Sequence, residues 1–170
     1  SDARKGLNEF SFYKGSIAFT DSRGEIFIYN IGSGEPPTNI THSPAREEGG
    51  IAWSPDGSLI AFTVESRLWV MKSDGTGKRR LTPDLSKPGE GTVGHDWDPA
   101  WSSDGSKLAF LSTQNFPNVG PHRDTTCPIC SAEIFAINAD GTGLVQLTRG
   151  MNPGNPAWSP DGQRILYISS

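Results

Sequence analysis

Hydrophobic residues in this chain fall in short runs, and the same polar phrase keeps preceding them. Leu59-Ile60-Ala61-Phe62 follows Trp53-Ser54-Pro55-Asp56-Gly57, and Leu108-Ala109-Phe110-Leu111 follows Trp101-Ser102-Ser103-Asp104-Gly105. Ile165-Leu166-Tyr167-Ile168 follows Trp158-Ser159-Pro160-Asp161-Gly162. Asp-Gly supplies the positive φ angles of a short hairpin, so each Trp segment and the run after it read as strand, tight turn, strand. Two of the copies continue with another apolar segment and another Gly turn: Leu68-Trp69-Val70-Met71 before Asp74-Gly75, and Ile134-Phe135-Ala136-Ile137 before Asp140-Gly141. Both close on Leu-Thr, at Leu81-Thr82 and Leu147-Thr148. One unit is therefore four short antiparallel strands, with Leu59 to Thr63, Leu108 to Ser112 and Ile165 to Ser169 as equivalent second strands.

A weaker copy precedes them. Ser16 to Thr20, Glu25 to Tyr29 and Asn39-Ile40-Thr41 match the second strand, the third strand and the closure, while Phe10 to Gly15 stands where the Trp phrase would be. The Trp residues are 48 and then 57 positions apart, at and beyond the upper end of the roughly 40–50 residues of a four-stranded propeller blade, and the excess lies in loops. The expected fold is all-β: a β-propeller of four-stranded antiparallel blades, about three and a half in this chain. Blade boundaries are expected near 10–50, 51–98 and 99–154, with a half blade over 155–170.

The Pro156-Ala157-Trp158-Ser159-Pro160-Asp161-Gly162 phrase, with the Ile-Ala-Phe strand, Asp-Gly turn and Leu-Thr of the earlier copy, resembles the blade repeat of TolB-type β-propellers. That repeat also builds the propeller domains of prolyl-oligopeptidase-like and tricorn-like peptidases. The resemblance runs from Phe10 to Ser170. It implies the fold, and it implies a setting among periplasmic or extracellular proteins, where such repeats are common. It carries no catalytic residue across, because the matching positions are turn and packing residues.

Composition narrows the partners. The 170 residues carry a formal net charge of −4, which argues against nucleic acid or an anionic membrane. No apolar run is long enough to span a bilayer. Lys78-Arg79-Arg80 is the only basic run, read as a solvated strand edge that discourages aggregation. The chain opens Ser-Asp-Ala-Arg and so reads as processed or cut from something longer. A ring closes with about four to eight blades, so either the natural protein continues past Ser170 or copies self-associate to complete the ring and cover the blade faces left open.

In a propeller the turns between strands one and two share one end with those between three and four, and here they are the short Asp-Gly turns. The opposite end carries the long connections, Thr41 to Gly50, Pro83 to Pro99, Ser112 to Ser131 and Arg149 to Pro156. Binding sites concentrate on such loops. His42, Glu47, Glu48, His95, Asp96, Trp97, Asp98, Phe116, His122, Asp124, Cys127 and Cys130 all fall there. Cys127 and Cys130 have C-x2-C spacing inside the longest insertion, Asn115 to Cys130. A local disulfide, a zinc site completed by His122 and His95, or two free thiols all fit that pattern. No other cofactor is suggested. The Asp-Gly aspartates are explained by their turns and the repeated Trp by packing between blades. There is no G-x-S-x-G elbow, phosphate loop or H-E-x-x-H helix.

The expectation is a non-catalytic recognition module that docks a protein or peptide on its long-loop end. Trp97 and Phe116 would serve as anchors, with Glu47, Glu48, Asp96 and Asp98 selecting a basic partner. The resemblance supplies two alternatives: the substrate-gating propeller of a prolyl-oligopeptidase-like serine peptidase, and a polysaccharide-acting propeller of the oligogalacturonate lyase kind with metal-binding histidines.

Overall fold

The computed structural model describes residues 10–42, 49–83, 94–113 and 132–169, and every regular element among them is a strand. The first sheet holds β1 (Phe10–Tyr13), β2 (Ser16–Thr20), β3 (Ile26–Asn30) and β4 (Thr38–Asn39) in chain order. The second holds β5 (Gly49–Trp53), β6 (Leu59–Val64), β7 (Arg67–Lys72) and β8 (Arg79–Arg80). The third holds β9 (Asp96–Trp101), β10 (Lys107–Ser112), β11 (Glu133–Asn138) and β12 (Val145–Gln146), and β13 (Pro153–Trp158) pairs with β14 (Ile165–Ser169). All pairings are antiparallel. The all-β propeller expectation holds, and the second strands are β6, β10 and β14. First strands of successive sheets lie beside one another, whereas the fourth strands among the described residues do not meet. The sheets therefore fan out from a common axis lined by β1, β5, β9 and β13.

The strand runs are apolar at consecutive positions because a middle blade is covered on both faces. Ile60 and Phe62 of β6 join Ala18, Ile26, Ile40 and Met71 between the first and second sheets. Their neighbour Ala61 points the other way and joins Leu68, Val70, Trp101, Leu108, Phe110 and Phe135 between the second and third. Ala109, Leu111 and Ile134 face the last sheet, where Trp158, Ile165 and Tyr167 pack on them. At the two ends of the arc Phe10, Phe12, Leu166 and Ile168 remain exposed.

Each Trp-Ser-x-Asp-Gly turn is built by the same bonds. Ser54 Oγ donates to Asp56 Oδ1 at 2.6 Å, the Ser58 amide donates to the same oxygen at 3.0 Å, and the Leu59 amide donates to Ser54 Oγ at 2.9 Å. Ser102, Asp104, Ser106 and Lys107 repeat the set, as do Ser159, Asp161, Gln163 and Arg164. Hydrogen bonds to the ionised form favour it, and the serine hydroxyl, followed by the backbone amide, holds the carboxyls of Asp56 and Asp104 down at about 2. Asp161 is lowered for the same first reason.

The repeated Trp links neighbours as well as filling space. The Trp101 indole donates to the Ala52 carbonyl at 3.0 Å and the Trp158 indole to the Ala100 carbonyl at 3.1 Å. Trp53 differs: its ring stacks on Tyr13, with centroids 5.7 Å apart. The basic run does more than decorate an edge. Arg79 and Arg80 are exposed on the outermost strand, yet Lys78 Nζ donates to the Thr41 carbonyl at 2.9 Å and Arg79 Nη2 donates to the Ala139 carbonyl. The second sheet is thereby tied to both neighbours.

Candidate functional site

At the long-loop end three inner strands share one irregularity. Pairing of β5 with β6, β9 with β10 and β13 with β14 slips between Gly49 and Ala52, Ala109 and Leu111, and Gly154 and Ala157. The residues at the slip are Gly50, Asp98 and Asn155, with φ of 59°, 49° and 48°. They stand three positions before Trp53, Trp101 and Trp158, so one bulge recurs in each of the three Trp repeats, while β1 pairs with β2 without a slip. Left-handed backbone favours Gly, Asn and Asp, and a bulge takes its extra residue out of the ladder and re-aims the side chain. At Gly50 a Cβ would come within 2.8 Å of Pro99 Cδ, so glycine is the residue that fits there. At Asp98 and Asn155 the same backbone carries a polar group.

Between these two bulges lies a cleft of about 320 Å3, lined by Trp97, Asp98, Leu111, Ala132, Pro153 and Asn155 together with Asn152, Gly154 and Ile168. Its lining comes from β9, β10 and β13, with Ala132 just before β11, Asn152 just before β13 and Ile168 of β14. Trp97 and Asp98 are half-buried, while Asn152 and Asn155 are exposed. Asp98 is the one charged residue among the described residues of the lining. An aromatic ring, a carboxylate and two amides thus surround an apolar floor.

The neighbouring acid has another role. Asp96 is 2% exposed, and its carboxylate accepts from Thr82 Oγ1 at 2.6 Å and from Ser112 Oγ at 2.7 Å. It was expected to face a partner, but a carboxylate this deep with both oxygens engaged is a structural group. The reason lies in the repeat. Thr41 and Thr148, the Thr of each closure, accept from the amides of Ile26 and Ile134 and donate to Glu25 and Glu133. In the second sheet Thr82 accepts from the Leu68 amide, but Arg67 occupies the Glu position and donates to the carbonyls of Ser66 and Gly94. Asp96, from the next sheet, supplies the missing acceptor. Reading along the sequence missed this; the signal is the Glu25, Arg67, Glu133 series where the third strands begin.

Of the other expected site residues, His95 is exposed and its Nδ1 is hydrogen-bonded with Ser66 Oγ. His42 is exposed at a φ of 46°. Glu47, Glu48, Phe116, His122, Asp124, Cys127 and Cys130 lie outside the described residues. Among the described residues no group of three His, Cys, Asp or Glu is placed to hold a metal, and no helix is long and apolar enough to cross a membrane.

No family model matches the chain. Individual proteins do. An uncharacterized protein of Agrobacterium fabrum is 31% identical over 150 residues, covering 85% of this chain and 46% of that protein. Dipeptidyl-peptidase 5 of Porphyromonas gingivalis is 30% identical over 115 residues, covering 66% of this chain and 15% of the peptidase. The Tol-Pal system protein TolB of Anaeromyxobacter dehalogenans is 54% identical over 43 residues, which cover 23% of this chain and 10% of that protein. The solved structure of a putative TolB from Agrobacterium tumefaciens superposes on 99% of this chain and 61% of its own with a TM-score of 0.66 at 22% identity. The repeats are those of the TolB-type β-propeller family. A nidogen/laminin complex also contains the fold, with a TM-score of 0.68 over 94% of this chain and 55% of that one at 19% identity. The TolB-type chain described here spans less than half the length of each of these curated relatives.

Proposed function

We propose that this chain is a recognition portion of a β-propeller that binds a protein or peptide at its long-loop end and performs no chemistry itself. The observation that carries the reading is the cleft between β9 and β13, where Trp97 and Asp98 project from a rigid inner strand rather than from a loose loop. Half-buried aromatics in a rigid setting are the residues that anchor protein interfaces, and sites on strands hold geometry better than sites on loops. The presence of the same fold in a nidogen/laminin complex supports a protein as the partner. TolB-type repeats support a periplasmic or extracellular setting.

The test compares the two ends. The immobilised chain, a Trp97→Ala/Asp98→Asn variant and an Asp74→Asn/Asp140→Asn variant are used to capture protein from periplasmic and secreted fractions, with folding of each checked by circular dichroism. A captured species lost only with the first variant supports the reading. Loss only with the second, on the short-turn end, overturns it.

A second reading is favoured by the dipeptidyl-peptidase 5 match. In it the chain is part of a propeller that gates substrate entry to a separate serine-hydrolase domain. A G-x-S-x-G elbow in the natural full-length protein, together with peptidase activity abolished by replacing its serine, would decide for that reading.

A further inference from the structure

We infer that the two open faces of the arc are mates, so that copies of this chain associate head to tail, the last sheet of one packing on the first sheet of another. The inference concerns assembly and stands whatever binds at the long-loop end.

Three junctions within the chain define what such a contact needs. Each sheet brings to its forward side an alanine at the centre of its second strand, Ala18, Ala61 or Ala109, all fully buried, and the next sheet brings the repeated Trp53, Trp101 or Trp158 to the same cluster. Register makes the positions equivalent. Ala18, Ala61 and Ala109 are paired with Ser11, Ala52 and Ala100, while Trp53, Trp101 and Trp158 are paired with Ile60, Leu108 and Ile165. A small residue thus meets a large ring at every junction, as close packing of a fixed space requires.

The same register identifies what the open faces carry. Leu166, paired with Ala157, holds the alanine position of the last sheet and is 76% exposed; Phe12, paired with Ile17, holds the Trp position of the first sheet and is 60% exposed. Relative to the inner junctions one residue has grown and the other has shrunk. Opposite changes keep the fill when these two faces meet, whereas Leu166 against a Trp would be overpacked and Phe12 against an alanine would leave a void. Each face therefore fits the other better than it fits a blade that follows the inner rule. That complementarity makes a second copy the occupant.

The surfaces are also apolar beyond these two residues. Ile168 lies on the same side as Leu166 and Phe10 on the same side as Phe12, both exposed, and Phe19 stacks on Phe27 on that side of the first sheet with centroids 5.8 Å apart. End repeats that stay alone in water carry a polar outer face, and contiguous exposed apolar surface marks an interaction site. The contact is heterologous, and such contacts give rings or fibres according to whether the rotation closes. Here the sheets already fan about one axis, four to a copy, so two copies bring eight around it, at the upper end of the roughly four to eight blades of closed propellers. A dimer is the expected assembly.

Sedimentation velocity over a dilution series is run on the full chain, on Phe12→Asp and on Leu166→Asp, and on the two variants mixed in equal amounts, with circular dichroism to check that each is folded. The parent should run as a dimer and each variant alone as a monomer. The mixture should regain a dimer, weaker than the parent, because one intact Leu166 face meets one intact Phe12 face. Leu166→Ala should weaken the parent dimer, and Leu166→Ala/Phe12→Trp, which rebuilds the inner-junction pair, should restore it. A monomeric or open-ended polymeric parent, a single Asp variant that keeps the dimer, a mixture that stays monomeric, or no rescue by the double variant overturns the inference. A longer natural chain that carries further blades and runs as a monomer at the same concentrations would show the faces covered from within, and overturns it as well.

Discussion

The two ends of the blades obey different rules. At the short-turn end Asp56, Asp104 and Asp161 stand in the same conformation, accept the same serine hydroxyl and the same backbone amide, and are equally committed to their turns. At the long-loop end Gly50, Asp98 and Asn155 also share one backbone conformation, but each side chain is different. The short-turn aspartates are fixed by identical local bonds, whereas the bulge keeps its backbone and changes its side chain from one repeat to the next. An acid is present at both ends, and at the short-turn end its bonds identify it as a turn residue.

The largest expected effect lies in the scaffold. Trp101 is 9% exposed in the cluster between the second and third sheets, and its indole reaches the Ala52 carbonyl. Trp101→Ala should cost about 3–5 kcal/mol in denaturant unfolding. Trp158, half-buried on the last sheet, should cost clearly less. Equal losses would mean that the repeats contribute equally wherever they stand in the arc.

Asp96→Ala comes next. It removes the acceptor of both Thr82 and Ser112 inside the protein, and a loss of about 1.5–3 kcal/mol is expected for hydrogen bonds to a buried charged group. A change within about 0.5 kcal/mol would instead place Asp96 among surface residues and return it to the candidate site.

Acid should loosen the short-turn end in a defined window. The folded-state values of Asp56 and Asp104, about 2, lie below the ordinary 3.8. The stability they contribute is therefore complete above about pH 4 and is lost as the pH falls through about 2. Carboxyl carbon shifts followed by NMR should show both midpoints near 2. Midpoints near 4 would mean that the serine hydroxyl bonds are not held in solution.

How much of this was legible in the sequence follows from the same contrast. Turns announce themselves, because Asp-Gly after Trp-Ser fixes φ, register and the start of the next strand within a few residues. Those positions predicted the sheets, and the strands β6, β10 and β14 lie where the Asp-Gly spacing puts them. Trp97 and Asp98 were legible as candidates, but not as members of a recurrent bulge. That needed Gly50-Ile51-Ala52-Trp53 to be read against Asp98-Pro99-Ala100-Trp101 and Asn155-Pro156-Ala157-Trp158. Asp96 was illegible by proximity. It sits two residues from Asp98, and its burial depends on Arg67, far away in sequence, having displaced the Glu found at positions 25 and 133.

The proposal that one end is scaffold and the other a binding site is tested most directly by measuring the unfolding midpoint and the capture of a partner together in two variants, Trp97→Ala and Asp104→Asn. Trp97→Ala should weaken capture by more than its effect on stability accounts for, as expected of an anchor residue. Asp104→Asn should lower stability, because it weakens the acceptor of the Ser102 hydroxyl and the Ser106 amide, and leave affinity unchanged. If instead capture tracks stability in both variants, the two ends do not differ in kind and the account fails.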